Sequence, residues 1–467
     1  MKVVFVGGGS HRYVGIGRSL LAVHELMDGG EINLYDPAVQ RAEAVGRMLT
    51  KSPEYPHGNC TVTWGTTLEE ALEGADIVFV VLMAGSRKNF ELLKLTSCRH
   101  GFIASDQLSP SGAMLALKGG PILMDLAQKM ERHCPDALLV NFANPVAVLS
   151  AAVNNHTAVQ CLGVCAGYTN HQWDLTRLLY GKDEQWSDYD IRCAGVNHLS
   201  FILPGSRHAG RDLYELAEKA ITEDSASPPL SERWNEATRQ NIRNSVRRLA
   251  QFYRKYGYLV FSSEGDGLLH LDMEGGYSPA AEAGARRTEE KLHEAVRRAE
   301  ADRAEANRRF EAWLDTDLDE AAWNTERPDA LYLLRADEDV MVQIARAAGG
   351  GEALSVATSF PNRGAVSGFK DRTVLEYSQV LDNNGIHPLE NLEVPEVFQG
   401  LMGDLATHQT LLGDAIATRD PRLFFEACYN YPVKRDTADA KALWRQLLKL
   451  AADEIPAEFQ QAHAWFR

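Results

Sequence analysis

The chain has 467 residues, 45% of them hydrophobic and 24% charged, with a formal net charge of −16. That balance reads as a soluble globular protein of two domains, and its acidity argues against an extended phosphate backbone as partner. The apolar runs are strand-length and fall far short of the roughly 20 residues that cross a bilayer, so no membrane association is expected.

In chain order, Lys2 to Val6 is expected as a buried strand, followed by a glycine-rich turn and a helix from about Gly15 to Met27. The chain enters that strand at once, leaving no room for a signal peptide and favouring a cytoplasmic setting. A second strand, Glu31 to Tyr35, ends at Asp36-Pro37, and a polar helix follows over Ala38 to Thr50. Strands are also expected at Asp76 to Met83 and Ala137 to Phe142, with a helix from about Leu115 to His133 between them. Short apolar strands alternating with helices indicate βαβ units and a parallel sheet. The expected fold class is α/β: an N-terminal Rossmann-type, doubly wound parallel sheet over residues 1–195, then an α+β substrate and oligomerisation domain over 196–467.

The second part is less regular. Gly205 to Leu216 is ambiguous, and Ser225 to Glu232 reads as a surface loop. Glu289 to Trp313 has helical spacing of Leu292, Val296 and Phe310 and an expected Glu294–Arg298 ion pair, the pattern of a solvated helix. Val397 to Phe466 is again helical and amphipathic. Seven irregularly spaced cysteines argue against a disulfide framework and for reduced thiols.

Two places carry chemistry. The turn Gly7-Gly8-Gly9-Ser10-His11 joins the first strand to a helix; its glycines let the backbone approach a pyrophosphate at the helix N-terminus. The strict dinucleotide fingerprint needs glycine at position 12, where Arg12 stands. Asp36, ending the second strand, is placed to hydrogen-bond a ribose 2′-hydroxyl and to repel a 2′-phosphate, so NAD is expected over NADP. A tight turn with a capping acid is the competing reading. Further on, Cys165 in GVCAGYTNH and His198 in GVNHL are a plausible thiolate and imidazole pair for a divalent transition metal. Two packed side chains are the alternative.

With these pieces in order the chain resembles the NAD- and metal-dependent glycosidases of glycoside hydrolase family 4, relatives of the lactate and malate dehydrogenases. The resemblance runs through FVGGGS, AGSRKNFE, FANPVAVLS, GVCAGYTNH, GVNHLSF, SFPNRGAVSGF, NGIHPL and LGDAIATRDPRLFFEA. It implies that Cys165 and His198 ligate a divalent metal, typically manganese. It also implies that Asn144 positions sugar and cofactor, that Arg87 and Asn197 contact substrate, and that Asn362 and Gly364 belong to a substrate-side loop. The implied reaction oxidises sugar C3 with NAD, removes the C2 proton, eliminates the aglycone, adds water and returns the hydride, without net NAD consumption. A homodimer or homotetramer is implied as well.

The sequence departs from this family at the acid and leaves the base open. Ala166 follows the metal cysteine where many relatives carry aspartate or histidine, so Tyr168 and His171 become candidate acids. The base is sought at Tyr258 or Tyr256, or at Asp266, with Glu264 and His270 competing. The acidic SSEGDG stretch is unwelcoming to a phosphate dianion, which favours non-phosphorylated α-hexosides or hexuronides. Two other readings compete: a 2-hydroxyacid-type or 3-keto-sugar-forming NAD dehydrogenase, and a non-catalytic sugar- or nucleotide-sensing relative. Steady NADH accumulation marks the dehydrogenase, and absence of deuterium exchange at sugar C2 marks the sensor.

Overall fold

The computed structural model describes residues 1–55, 59–165, 167–184, 188–222, 229–232, 234–261, 267–268, 279–324, 334, 340–432 and 437–467. Ala166, Glu264, Asp266, His270 and residues 225–228 lie outside that set.

The N-terminal half is built on six strands: β1 (Lys2–Val6), β2 (Glu31–Tyr35), β3 (Thr61–Trp64), β4 (Ile77–Val80), β5 (Leu138–Asn141) and β6 (Cys161–Gly163). They are all parallel, in the spatial order 3-2-1-4-5-6 of a dinucleotide-binding sheet. Val3, Val4, Phe5, Ile77, Val78, Phe79 and Val80 are fully buried. Helices cover both faces of such a sheet, so continuous apolar runs, not alternation, mark its strands. The expected β1, β2, β4 and β5 are present, β4 as the shorter Ile77–Val80. β3 and β6 had too little apolar length to be read.

Helices α1 (Arg12–Leu21), α2 (Val39–Lys51), α3 (Arg87–Arg99), α4 (Pro110–His133) and α5 (Val146–His156) fill the crossovers. Their starts follow ordinary capping chemistry. Ser109 accepts from Gly112 N and Pro110 occupies the first turn of α4, while Ser86 accepts from Asn89 N at the start of α3.

The sheet does not stop at β6. It continues antiparallel through β10 (Leu354–Pro361), β11 (Val374–Asp382), β7 (Cys193–Val196), β8 (Leu199–Ile202) and β9 (Leu259–Val260), with β12 (Gly385–Pro388) on β11. Gly163 pairs with Ser359 at the seam; a Cβ there would meet Val146 O at 2.8 Å and Ser359 Cβ at 3.0 Å. A boundary at residue 195 falls inside β7, which belongs to the antiparallel half.

The remaining helices are α6 (Tyr168–Tyr180), α7 (Glu236–Tyr256), α8 (Pro279–Leu314), α9 (Val340–Ala348), α10 (Gln399–Thr418), α11 (Pro421–Asn430) and α12 (Thr437–Leu450). Gly205 to Leu216 resolves into two two-residue strands, Arg207–His208 and Arg211–Asp212, and the start of a helix over Leu213–Thr222. In α8 Glu294 pairs with Arg297 and Arg298 pairs with Asp302, so both members of the expected Glu294–Arg298 pair take other partners. All seven cysteines are free thiols. Among the described residues no helix is long and apolar enough to cross a membrane.

Candidate active site

The nucleotide turn opens into a cleft of about 760 Å³ whose lining includes Gly7, Ser10, Asp36, Arg87, Ala299 and Arg303. Gly7 takes φ 78°, and a Cβ on it would stand 2.0 Å from Val81 O, so only glycine lets β1 turn beside β4. Gly9 N donates to Asp36 Oδ2 at 3.1 Å, and Ala38 N donates to Asp36 Oδ1 at 2.9 Å. The acid therefore caps its own turn and also lines the cleft. Arg41 donates to Gly9 O at 3.2 Å and holds the turn from the other side.

His11 begins α1 and stacks on Phe310, ring centroids 3.9 Å apart at 7°. Burial, then the nearby Arg41, pulls the His11 pKa down to about 4. Its folded-state value lies below the ordinary 6.5, so its contribution is present above pH 6.5 and lost as pH falls towards 4. His11→Gln is expected to flatten the melting temperature profile across that window, measured by thermal unfolding at a series of pH values. An unchanged slope would show that His11 is not a source of it.

Arg87 starts α3 and pairs with Glu91 at 2.8 Å, lining the nucleotide cleft. Helix α8 supplies one wall of that cleft through Ala295, Ala299, Asp302 and Arg303. This corrects the reading of α8 as merely solvated. Two alanines one turn apart carry no hydrophobic signal among so many charges, yet their small size lets the helix approach the cleft.

Asn144 follows β5. Its Nδ2 donates to Asp106 Oδ2 at 2.7 Å and its Oδ1 accepts from Gln107 Nε2 at 2.6 Å, which fixes the amide. Asn362 is fully buried and donates to the carbonyls of Val366 and Phe369, both at 3.0 Å, while its Oδ1 accepts from Val366 N at 2.7 Å. With both amide hydrogens spent on its own loop, Asn362 acts as the staple of that loop. Gly364 lies within the same loop at φ 83°.

Cys165 and His198 meet. Cys165 follows β6, and His198 sits in the two-residue turn joining β7 to β8, with Val196 paired to Leu199. Cys165 Sγ and His198 Nε2 are 3.4 Å apart, and Gly167 N donates to the sulfur at 3.3 Å. A thiolate about 2.3 Å and an imidazole about 2.1 Å from one ion stand roughly 3.1–3.6 Å apart for ligand angles of about 90° to 110°. The pair thus fits a shared divalent cation. Among the described residues no third His, Cys, Asp or Glu joins it.

Near the pair stands Glu376, which the sequence did not single out. Glu376 of β11 accepts from Asn197 Nδ2 at 2.6 Å and from Ser200 Oγ at 2.7 Å. Burial pushes the Glu376 carboxyl above its ordinary value, against the opposing pull of those two donors. Asn197 Oδ1 is buried without a hydrogen-bond partner among the described residues. A glutamate between Leu375 and Tyr377 in the strand-length run VLEYSQV was the available signal. Tyr168 donates to Ser355 O at 3.3 Å, and burial raises its pKa, while His171 is buried edge-on to Phe261 at 5.3 Å.

The tyrosines proposed as base lie elsewhere. β9 pairs with β8 so that Leu259 faces Ile202 and Val260 faces Phe201. At roughly 3.3 Å per residue, that register puts Tyr258 on the order of 15 Å along the ladder from His198. Tyr258 instead lines a second cleft of about 580 Å³ with Arg192, Asn391 and Glu396. Tyr256 packs against Phe252 and Phe398. Tyr258→Phe is expected to keep kcat/KM within about two-fold, the range of a change remote from the chemistry. A loss of about 100-fold, read as steady-state aglycone release, would instead make Tyr258 the base. The described residue after Asp266 is Gly267, which packs on His198: a Cβ there would stand 1.6 Å from His198 O.

Comparison with known proteins decides the family. Residues 2–180 match the family 4 glycosyl hydrolase domain and residues 193–433 match its C-terminal domain. The chain belongs to family 4 of the glycosyl hydrolases. It is 24% identical to an α-galacturonidase of Bacillus subtilis over 463 residues, 96% of this chain and 97% of that protein. It is likewise 24% identical to an α-galacturonidase of Thermoanaerobacter italicus, with 97% of each chain covered. A crystal structure of a 6-phospho-α-glucosidase from gut microorganisms, in complex with NAD and Mn2+, superposes with TM-score 0.72 at 19% identity. That match covers 97% of this family 4 chain and 99% of the other.

Proposed function

We propose that this family 4 enzyme is an NAD- and divalent-metal-dependent glycosidase of non-phosphorylated α-hexuronides. The observation that carries the reading is the Cys165–His198 pair, 3.4 Å apart, with Cys165 following the last parallel strand of the sheet whose first strand leads into the glycine turn. The uronide preference is supported by the full-length similarity to two α-galacturonidases.

When bound, NAD takes up and returns a hydride at sugar C3, and manganese polarises the carbonyl formed there so that the C2 proton becomes acidic. The chain's own residues make that possible in stages. Gly7 and Ser10 leave a bare backbone wall for the pyrophosphate, and Asp36 presents a carboxylate to the ribose hydroxyls. Cys165 and His198 hold the cation with two ligands, leaving room for sugar oxygens. Asn144, fixed by Asp106 and Gln107, stands at the end of β5, on the edge where ligands of such sheets bind. We assign the C2 proton acceptor to Asp266, the acid next in sequence to the glycine packed on His198.

The test is aglycone release from 4-nitrophenyl α-galacturonide, α-galactoside and 6-phospho-α-glucoside, with reduced protein, NAD and manganese. The uronide is expected to exceed the phosphosugar by about 100-fold, with solvent deuterium appearing at C2 of the product. Preference for the phosphosugar would overturn the substrate class. Release without NAD or manganese would overturn the mechanism.

A further inference from the structure

The turn that carries His198 is held by a group outside the ligand pair. Glu376 lies in β11 opposite Gly195 of β7 and is 4% exposed, between the fully buried Leu375 and Tyr377. Its two oxygens grip the two sides of one turn. Asn197, immediately before His198, donates to Oε2 at 2.6 Å, and Ser200, two residues after, donates to Oε1 at 2.7 Å. Between them His198 adopts φ 70°, a conformation side-chain-bearing residues seldom take and keep only when their surroundings impose it.

The grip also fixes an amide. A carboxylate can only accept, so it takes the NH2 end of Asn197 and leaves Oδ1 as the free end. Among the described residues that oxygen is buried and unpartnered, a costly state for a protein to retain. It lies one residue from a cation ligand. We propose that Glu376 is the positioning residue of the cation site. By holding Asn197 and Ser200 it imposes the His198 turn and keeps Asn197 Oδ1 outward as an acceptor for a sugar hydroxyl. The inference rests on the reading of Cys165 and His198 as cation ligands.

The experiment is manganese titration of the reduced full-length protein by calorimetry, with NAD titrated separately. In E376Q the substituting amide has one acceptor and one donor. With Ser200 on the acceptor, the donor faces Asn197 and turns its amide round. Manganese affinity is expected to fall by about 10- to 100-fold, as for other groups that orient a metal ligand, while NAD affinity stays unchanged. N197D offers an acceptor to that donor, so E376Q combined with N197D should bind manganese more tightly than either single change. E376Q binding manganese like the unaltered protein overturns the proposal, and so do strictly additive effects. Should E376Q also lose NAD binding, S200A carries the test: a weakened manganese affinity supports the grip, and an unchanged one overturns it. An unaltered protein that binds no manganese overturns the cation reading itself and the inference with it.

Discussion

Replacing Cys165 with alanine is expected to stop turnover while leaving NAD binding intact. The sulfur lies 3.4 Å from His198 Nε2, and these are the two side chains proposed to hold the cation. Removing it leaves a single imidazole among the described residues, too little by itself to hold a divalent ion against water. Polarising the C3 carbonyl is worth several kcal/mol, and each 1.36 kcal/mol is tenfold, so a loss on the order of 10³-fold or more is expected in kcat/KM. Manganese titration should lose its saturable phase and NAD titration should not change. The cavity left by one sulfur at a site edge is small, so the melting temperature should move little. Retention of more than about a tenth of the activity would exclude Cys165 from the chemistry. His198→Ala is expected to share the loss of manganese binding, and the two losses should not add, because either alone disables the pair.

The second large effect lies at the other end of the site. Gly7→Ala places a Cβ 2.0 Å from Val81 O, at φ 78°. Nothing flexible can yield there, because the obstructing atom is backbone of the chain leaving β4. The αL conformation alone costs roughly 1–2 kcal/mol for a residue with a Cβ, and the clash adds to it. The turn is expected to shift away from β4, closing the wall that faces the pyrophosphate. NAD affinity should fall by at least about 100-fold and the protein should melt several degrees lower. Equilibrium dialysis with NAD and thermal unfolding check the two parts separately. A variant that binds NAD normally would show that the cofactor does not use this turn. Unlike Cys165→Ala, this change should leave manganese binding at Cys165 and His198 in place.

Much of this was legible before any coordinates. The strand β1, its glycine turn and Asp36 form one local unit, and local units are what sequence periodicity and turn chemistry report. The Cys165 and His198 contexts were equally visible as short motifs, although 33 residues separate them. The acid–base assignment was harder, because the resemblance left several candidates open. Tyr258 was one of them, yet the β8–β9 register carries it to the far end of the ladder. Asn362 carried the family pattern, but its amide is consumed by Val366 and Phe369 within seven residues. Helix α8 looked like a solvated rod because the alanines that meet the cleft have no hydrophobic signature.

By itself, then, the sequence determined the parallel nucleotide sheet, the glycine that its first turn demands, and the two residues fit to hold a cation. Each depends on neighbours within a few residues, where backbone sterics and side-chain type suffice. Tertiary structure decided the rest. It joined the two halves into one continuous sheet through the pairing of β6 with β10, and brought the wall of α8 against a cleft begun by residue 7. It also set Glu376, 178 positions after His198, beside the turn that carries it. Such long-range contacts are fixed by which faces of distant elements bury together, and no local pattern along the chain encodes that choice.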